Sequence, residues 1–257
     1  MPFSPLARAL ALTATLAMAG LSAQTAHAAA PIKSPFPKKA GRLAAASCPE
    51  RPLSTGGIPR GREYLGAVMK CLDKSWAAYV RKAGRSLGRP VVRYFDEPQR
   101  TVCGMPWPEH AAAFYCTERA TLVFPLTGSW IEGRTDLYPM KVAAHEYGHH
   151  VQSALGIRKA YEMAARARRE RDGDLKRRYE LQADCLAGVF LGSVWGSLGR
   201  PQRDWAALLD TVKATGDEDG ERSHGKGASR ASWLERGFRS GSPATCDTWS
   251  ATAAKVS

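Results

Sequence analysis

Residues 145–150 read His-Glu-Tyr-Gly-His-His, and His145, Glu146 and His149 within them form the pattern H-E-x-x-H. Helical positions four apart share a face, so on a helix the two imidazoles converge on one point. Glu146 follows His145 by one position, roughly 100° around the axis, which sets it beside that point rather than on it. Two nitrogen ligands with a carboxylate alongside suit a metal ion whose bound water has a base next to it. The preceding residues Tyr138, Met140, Val142, Ala143 and Ala144 are apolar and fit a buried helix bordering a cleft. The competing reading is a helix with two hydrogen-bonded histidines and a solvated glutamate. Gly148 inside the helix costs about 1 kcal/mol against alanine. A partner helix or a substrate is therefore expected to approach closely there.

Working outward, a catalytic zinc takes three protein ligands and keeps one open position. Residues 178–188, RYELQADCLAG, lie among good helix formers and carry Glu180 and Asp184 four apart on one face. Glu180 is the expected third ligand. Asp184 is expected to accept a hydrogen bond from the far nitrogen of a ligand histidine, His145 for preference, which sets its tautomer. The alternative is an ordinary amphipathic helix whose acids pair with Arg177 and Arg178. His150 points about 100° away from His149 and is expected to pack or hydrogen-bond elsewhere.

The runs AAHEYGHHVQSALG (143–156), RYELQADCLAGVF (178–190), CG…FYC (103–116) and GDEDGERSHGKGASRASWLERGF (216–238) occur in that order. Together they resemble the putative neutral zinc metallopeptidases, gluzincin-type proteins of bacteria, from about Trp76 to Trp249. The resemblance implies zinc as cofactor, His145, His149 and Glu180 as ligands, Glu146 as general base, and a peptide or protein substrate. Peptide hydrolysis develops an oxyanion that a hydrogen-bond donor from another element helps to stabilise. His224 and Arg230 are the candidates in the last run, and His224, set between glycine-rich turns, is preferred; Tyr147 points away from the metal face. The competing reading makes His224 a surface histidine without a role. In gluzincins an edge strand above the metal helix pairs with extended substrate; if Thr121–Phe124 is that edge it binds peptide by strand addition, and the competing reading is an ordinary sheet strand.

Arg8, an apolar run from Ala9 to Gly20 and an A-x-A site ending at Ala28 read as a secretory signal peptide over residues 1–28. The expected location is periplasmic or extracellular, with tethering to the membrane if the leader is not cleaved. No later stretch is expected to reach the roughly 20 apolar residues of a membrane span. All six cysteines lie beyond the leader, which favours disulfides in an exported chain, with 15 pairings available. Cys103–Cys116 brackets a Gly-Pro loop, Cys185–Cys246 would tie the second metal helix to the tail, and Cys48–Cys71 remains. No C-x-x-C is present, which argues against a cysteine-held metal.

The net charge is +13, and residues 158–178 hold nine Lys and Arg against four acids. This segment is expected to be a solvated helical excursion; the sharper reading is contact with an anionic envelope surface. No nucleic-acid-binding module is apparent.

Residues 29–62, rich in Pro, Gly, Ala and Lys, read as a linker or flexible arm, and 63–257 as one domain. Helices are expected at about 63–84, 136–155, 158–171, 175–196, 201–214 and 229–238, and strands at 90–95 and 121–124. The expected class is α+β: a mostly helical zincin-like metallopeptidase domain with a small sheet. The expected function is exported, zinc-dependent endopeptidase hydrolysis. The alternatives are a catalytically silent metal-binding envelope protein and a polyanion-binding surface protein that uses residues 158–178.

Overall fold

Leu181, Leu186, Val189, Phe190, Leu191 and Val194 form an apolar run with no exposed surface, and the helix that carries them is the centre of the molecule. In the computed structural model, which describes Met1 and residues 32–257 apart from 35, 51–52, 54–55, 109–110, 169–172 and 218–222, this helix is α4, Asp174–Leu198. It is long and apolar enough to span a membrane by length and composition, contrary to the sequence expectation, but 72% of its most apolar window is buried inside the fold. Its apolar surface faces protein because two other helices cover it.

Helix α1 is Gly57–Lys82, α2 is Tyr138–Ala154, α3 is Ile157–Arg168, α5 is Gln202–Ala214 and α6 is Gly227–Ser240. The α4–α6 contact is close because its faces are glycine: a Cβ at Gly188 would lie 2.9 Å from the backbone nitrogen of Phe238, and one at Gly237 would lie 2.9 Å from that of Val189. On its other side α4 meets α2, where a Cβ at Gly148 would come within 3.3 Å of the Ala183 backbone. The glycine inside the H-E-x-x-H turn thus serves the approach of a partner helix.

Among the described residues five strands precede α2: β1 Val91–Phe95, β2 Thr101–Val102, β3 Met105–Pro106, β4 Phe114–Cys116 and β5 Thr121–Pro125. The main sheet has the order β1-β5-β4, with β1 parallel and β4 antiparallel to β5; β2 and β3 form a separate hairpin. The expected edge strand is therefore corrected. Thr121–Pro125 is central, paired on both sides and buried at every position. Its unbroken apolar run suits burial on both faces, whereas an edge with one wet face would alternate. The edges are β1 and β4, and β4 with the residues before it borders the cleft described below.

The stretch expected as a flexible arm is attached to the domain. Phe36, Ala40, Leu43, Cys48 and Leu53 are buried, and the backbone N–H groups of Leu43 and Ala46 donate to the carbonyls of Gly241 and Ser193. Its Pro- and Gly-rich composition hid a few well-spaced apolar anchors. Disulfides join Cys48–Cys71, Cys103–Cys116 and Cys185–Cys246, the three expected pairs. The segment expected as a leader, 1–28, lies outside the described residues, Met1 aside, as do residues 169–172 of the basic segment.

Candidate metal centre

The α2–α4 crossing at Gly148 sets the geometry of the site. Helix α2 presents His145, Glu146 and His149, all buried, and α4 presents Glu180 one turn before Ala183. Nε2 of His149 lies 3.0 Å from Glu180 Oε2, and Nε2 of His145 lies 3.3 Å from the same oxygen. The three ligand atoms fall within 4.8 Å of one another, a set able to hold one metal ion. Two imidazole nitrogens and one carboxylate oxygen suit zinc, whose catalytic sites keep a further position for water or substrate.

The far nitrogens fix the tautomers. Nδ1 of His145 donates to Asp184 Oδ1 at 2.8 Å, and Nδ1 of His149 donates to Gln152 Oε1 at 2.8 Å. Both Nε2 atoms are thereby left to accept a metal. The Gln152 amide donates in turn to Gln182 Oε1 and the Tyr179 carbonyl, and Gln182 donates to the Cys246 carbonyl. Tyr179 stacks on the His149 ring at 4.7 Å.

Asp184 is fully buried and carries more than a histidine. Lys141 Nζ lies 2.6 Å from its Oδ1 and Arg230 Nε 2.9 Å from its Oδ2. Burial opposes its ionisation, but Arg230, Lys141 and His145 together hold the carboxyl well below the usual carboxylate range. The alternative pairing of these acids with Arg177 and Arg178 does not occur: Arg178 bonds Asp174 and the Thr248 and Ala251 carbonyls, and Arg177 bonds the Val256 carbonyl.

Glu180 and His149 form a buried pair at this point. Burial works against both charges; even so, the carboxylate lifts His149 to about 9, and the imidazolium keeps Glu180 well below its ordinary value. A proton thus stabilises the site where a cation fits.

His224 approaches from the α5–α6 loop, its Nε2 3.6 Å from Glu180 Oε2. Desolvation in the cleft lowers it to about 4, although 44% of its side chain stays exposed. Asp217 anchors its loop by accepting from the backbone of Ser223, His224 and Gly225 and from the Ser223 hydroxyl. Ser223 Oγ lies 3.0 Å from His224 Nδ1. Because the hydroxyl proton goes to Asp217, His224 Nδ1 is the donor to Ser223, and Nε2 faces the cleft.

His150 and Tyr147 look elsewhere. His150 bonds the Gly88 carbonyl and the Tyr115 hydroxyl, and Tyr147 donates to Asp73 on α1. Glu146, His145, His149, Glu180, His224, Lys141 and Arg230 all line one cleft of about 490 Å³, which residues 111–115 and Thr117 also line.

Sequence reasoning missed Lys141, Gln152, Gln182 and Tyr179. Lys141 stands four before His145 and Gln152 three after His149, so helical spacing carried that signal; nothing in sequence marks Gln182.

Fold and site together define a helical α+β protein with an H-E-x-x-H helix crossed by an acid-bearing second helix. The chain belongs to the family described as "Putative neutral zinc metallopeptidase", which it matches over residues 59–249. It is 29% identical over 204 residues to Escherichia coli (strain K12) "Uncharacterized protein YpfJ", covering 73% of this chain and 71% of the relative. It is 32% identical over 192 residues to Mycobacterium tuberculosis (strain H37Rv) "Uncharacterized protein Rv2575", covering 63% of each. No solved structure gives a significant match.

Proposed function

We propose that this protein is an exported zinc endopeptidase. The observation that supports it most is the convergence of His145, His149 and Glu180 within 4.8 Å at the floor of a cleft that Glu146 also lines. Zinc bound there supplies Lewis acidity and a water of lowered pKa. Glu146 takes the proton of the attacking water and passes it to the leaving amine. His224 donates to the carbonyl oxygen in its Nε2–H tautomer, with the Ser223 hydroxyl turned to donate to Nδ1. The outer edge of β4 offers backbone groups to an extended peptide, which would add as a strand. A base beside the metal set distinguishes this reading from a catalytically silent metal-binding protein. Three disulfides fit an oxidising compartment outside the cytoplasm.

Glu146→Gln tests the mechanism. The variant is expected to retain zinc in about equimolar amount and to lose peptide cleavage by at least ~100-fold. Undiminished cleavage would overturn the assignment of Glu146.

A further inference from the structure

The cations of the cleft fall into two groups. Lys141 and Arg230 are both committed to the buried carboxylate of Asp184. Arg158 stands apart, on the first turn of α3 and 34% exposed. Its Nε donates to Glu162 at 2.6 Å, and its guanidinium rests 5.5 Å from the Tyr161 ring centroid and 5.4 Å from that of Tyr179. Tyr161 stacks on Tyr179, which stacks on His149. Arg158 is therefore held by aromatic packing at a set distance from a ligand histidine, and it lines the same cleft.

We infer that Arg158 is a specificity-determining residue that selects substrates bearing a carboxylate. A guanidinium has five N–H donors in a planar fork. One is used on Glu162 and the Tyr179 hydroxyl competes for another, which leaves donors on the two terminal nitrogens to grip a carboxylate. The acidic groups lining the cleft, Glu146 and Glu180, both sit at the metal end. Two contact steps, 4.7 and 5.4 Å, separate Arg158 from the His149 ring. At roughly 3.3 Å per residue of extended chain, the selected carboxylate lies two or three residues from the scissile bond. Its source is an acidic side chain or the chain's own C-terminus. This inference rests on the peptidase reading above.

The test uses the zinc-loaded protein and peptide pairs that differ only by Glu or Gln at each of three positions on either side of the cut. One set has amidated and one free C-termini. The ratio of kcat/KM between pair members is read within each variant, so the fraction of folded enzyme cancels. At one position, or with the free terminus alone, the carboxylate is expected to be favoured about tenfold. Arg158→Gln brings the ratio to about one, and Arg158→Glu turns the preference toward Lys at that position. Equal cleavage throughout, or a ratio unmoved in Arg158→Gln, overturns the inference. If nothing is cleaved, anisotropy of the same peptides on zinc-loaded Glu146→Gln protein decides. Carboxylate-selective binding there retains the subsite while the peptidase reading falls, and unselective or absent binding overturns the subsite.

Discussion

Asp184→Asn removes one charge from a site where three donors meet. The amide keeps the size of the carboxyl and one acceptor oxygen, but Lys141 and Arg230, 2% and 7% exposed, lose their counter-charge. Breaking a buried pair from one side costs about 3–5 kcal/mol, because the orphaned cation cannot recover its hydration. For a domain of this size each kcal/mol is worth about 2–4 °C, so the melting temperature should fall by roughly 6–20 °C. The sign with pH is explicit: the Asp184 carboxyl is depressed in the fold, so its contribution is complete above its unfolded value and is lost as pH falls through the folded one. At pH 7 it is fully present. Circular dichroism melts of chelator-treated protein isolate this from metal binding. Lys141→Met in the Asp184→Asn background should recover at least ~1 kcal/mol, whereas Lys141→Met alone leaves Asp184 with Arg230 and His145. The reasoning is refuted if Asp184→Asn melts within 2 °C of wild type, or if the second substitution makes it worse by an additive amount.

At the proposed site zinc would compete with a proton on His149, which the Glu180 carboxylate lifts to about 9. Uptake at pH 7 should therefore release about one proton, and apparent affinity should rise with pH up to about 9; calorimetry in buffers of different ionisation enthalpy measures this, and zero release contradicts it. Cys185 and Cys246 close a loop with a sequence separation of 61. Replacing both with alanine should cost about 4 kcal/mol in a urea titration on the chain-entropy scale. Gly188→Ala drives a methyl into the Leu234 carbonyl oxygen, with the Phe238 backbone nitrogen 2.9 Å away. At least ~2 kcal/mol of destabilisation is expected, and an unchanged urea midpoint would show that α4 and α6 are not packed as described.

Much of the fold was readable locally. The helix at 138–154 followed from its apolar residues and the one at 174–198 from a run of helix formers; of the cysteine pairs, Cys103–Cys116 followed from the loop it brackets and Cys48–Cys71 only as the remainder. The edge of the sheet was not readable in this way. Whether a strand lies at an edge depends on what pairs with it, and the short β4 that covers one side of β5 has only three residues. The buried anchors of residues 36–53 were lost among prolines and glycines for a related reason: a few apolar side chains make no periodic signal, yet each is buried once the domain surface is there to receive it.

The sequence by itself determined the candidate metal-ligand residue types and their faces. The spacing of four in His145–His149 and in Glu180–Asp184 needs only the pitch of a helix. Only the tertiary structure decided that those two faces meet, that Lys141 and Arg230 share Asp184, and that Arg158 comes to the same cleft. Those relations join residues 31 to 46 positions apart or lie across a helix crossing. They rest on the packing of Gly148 against Ala183, a contact distance that no local spacing encodes.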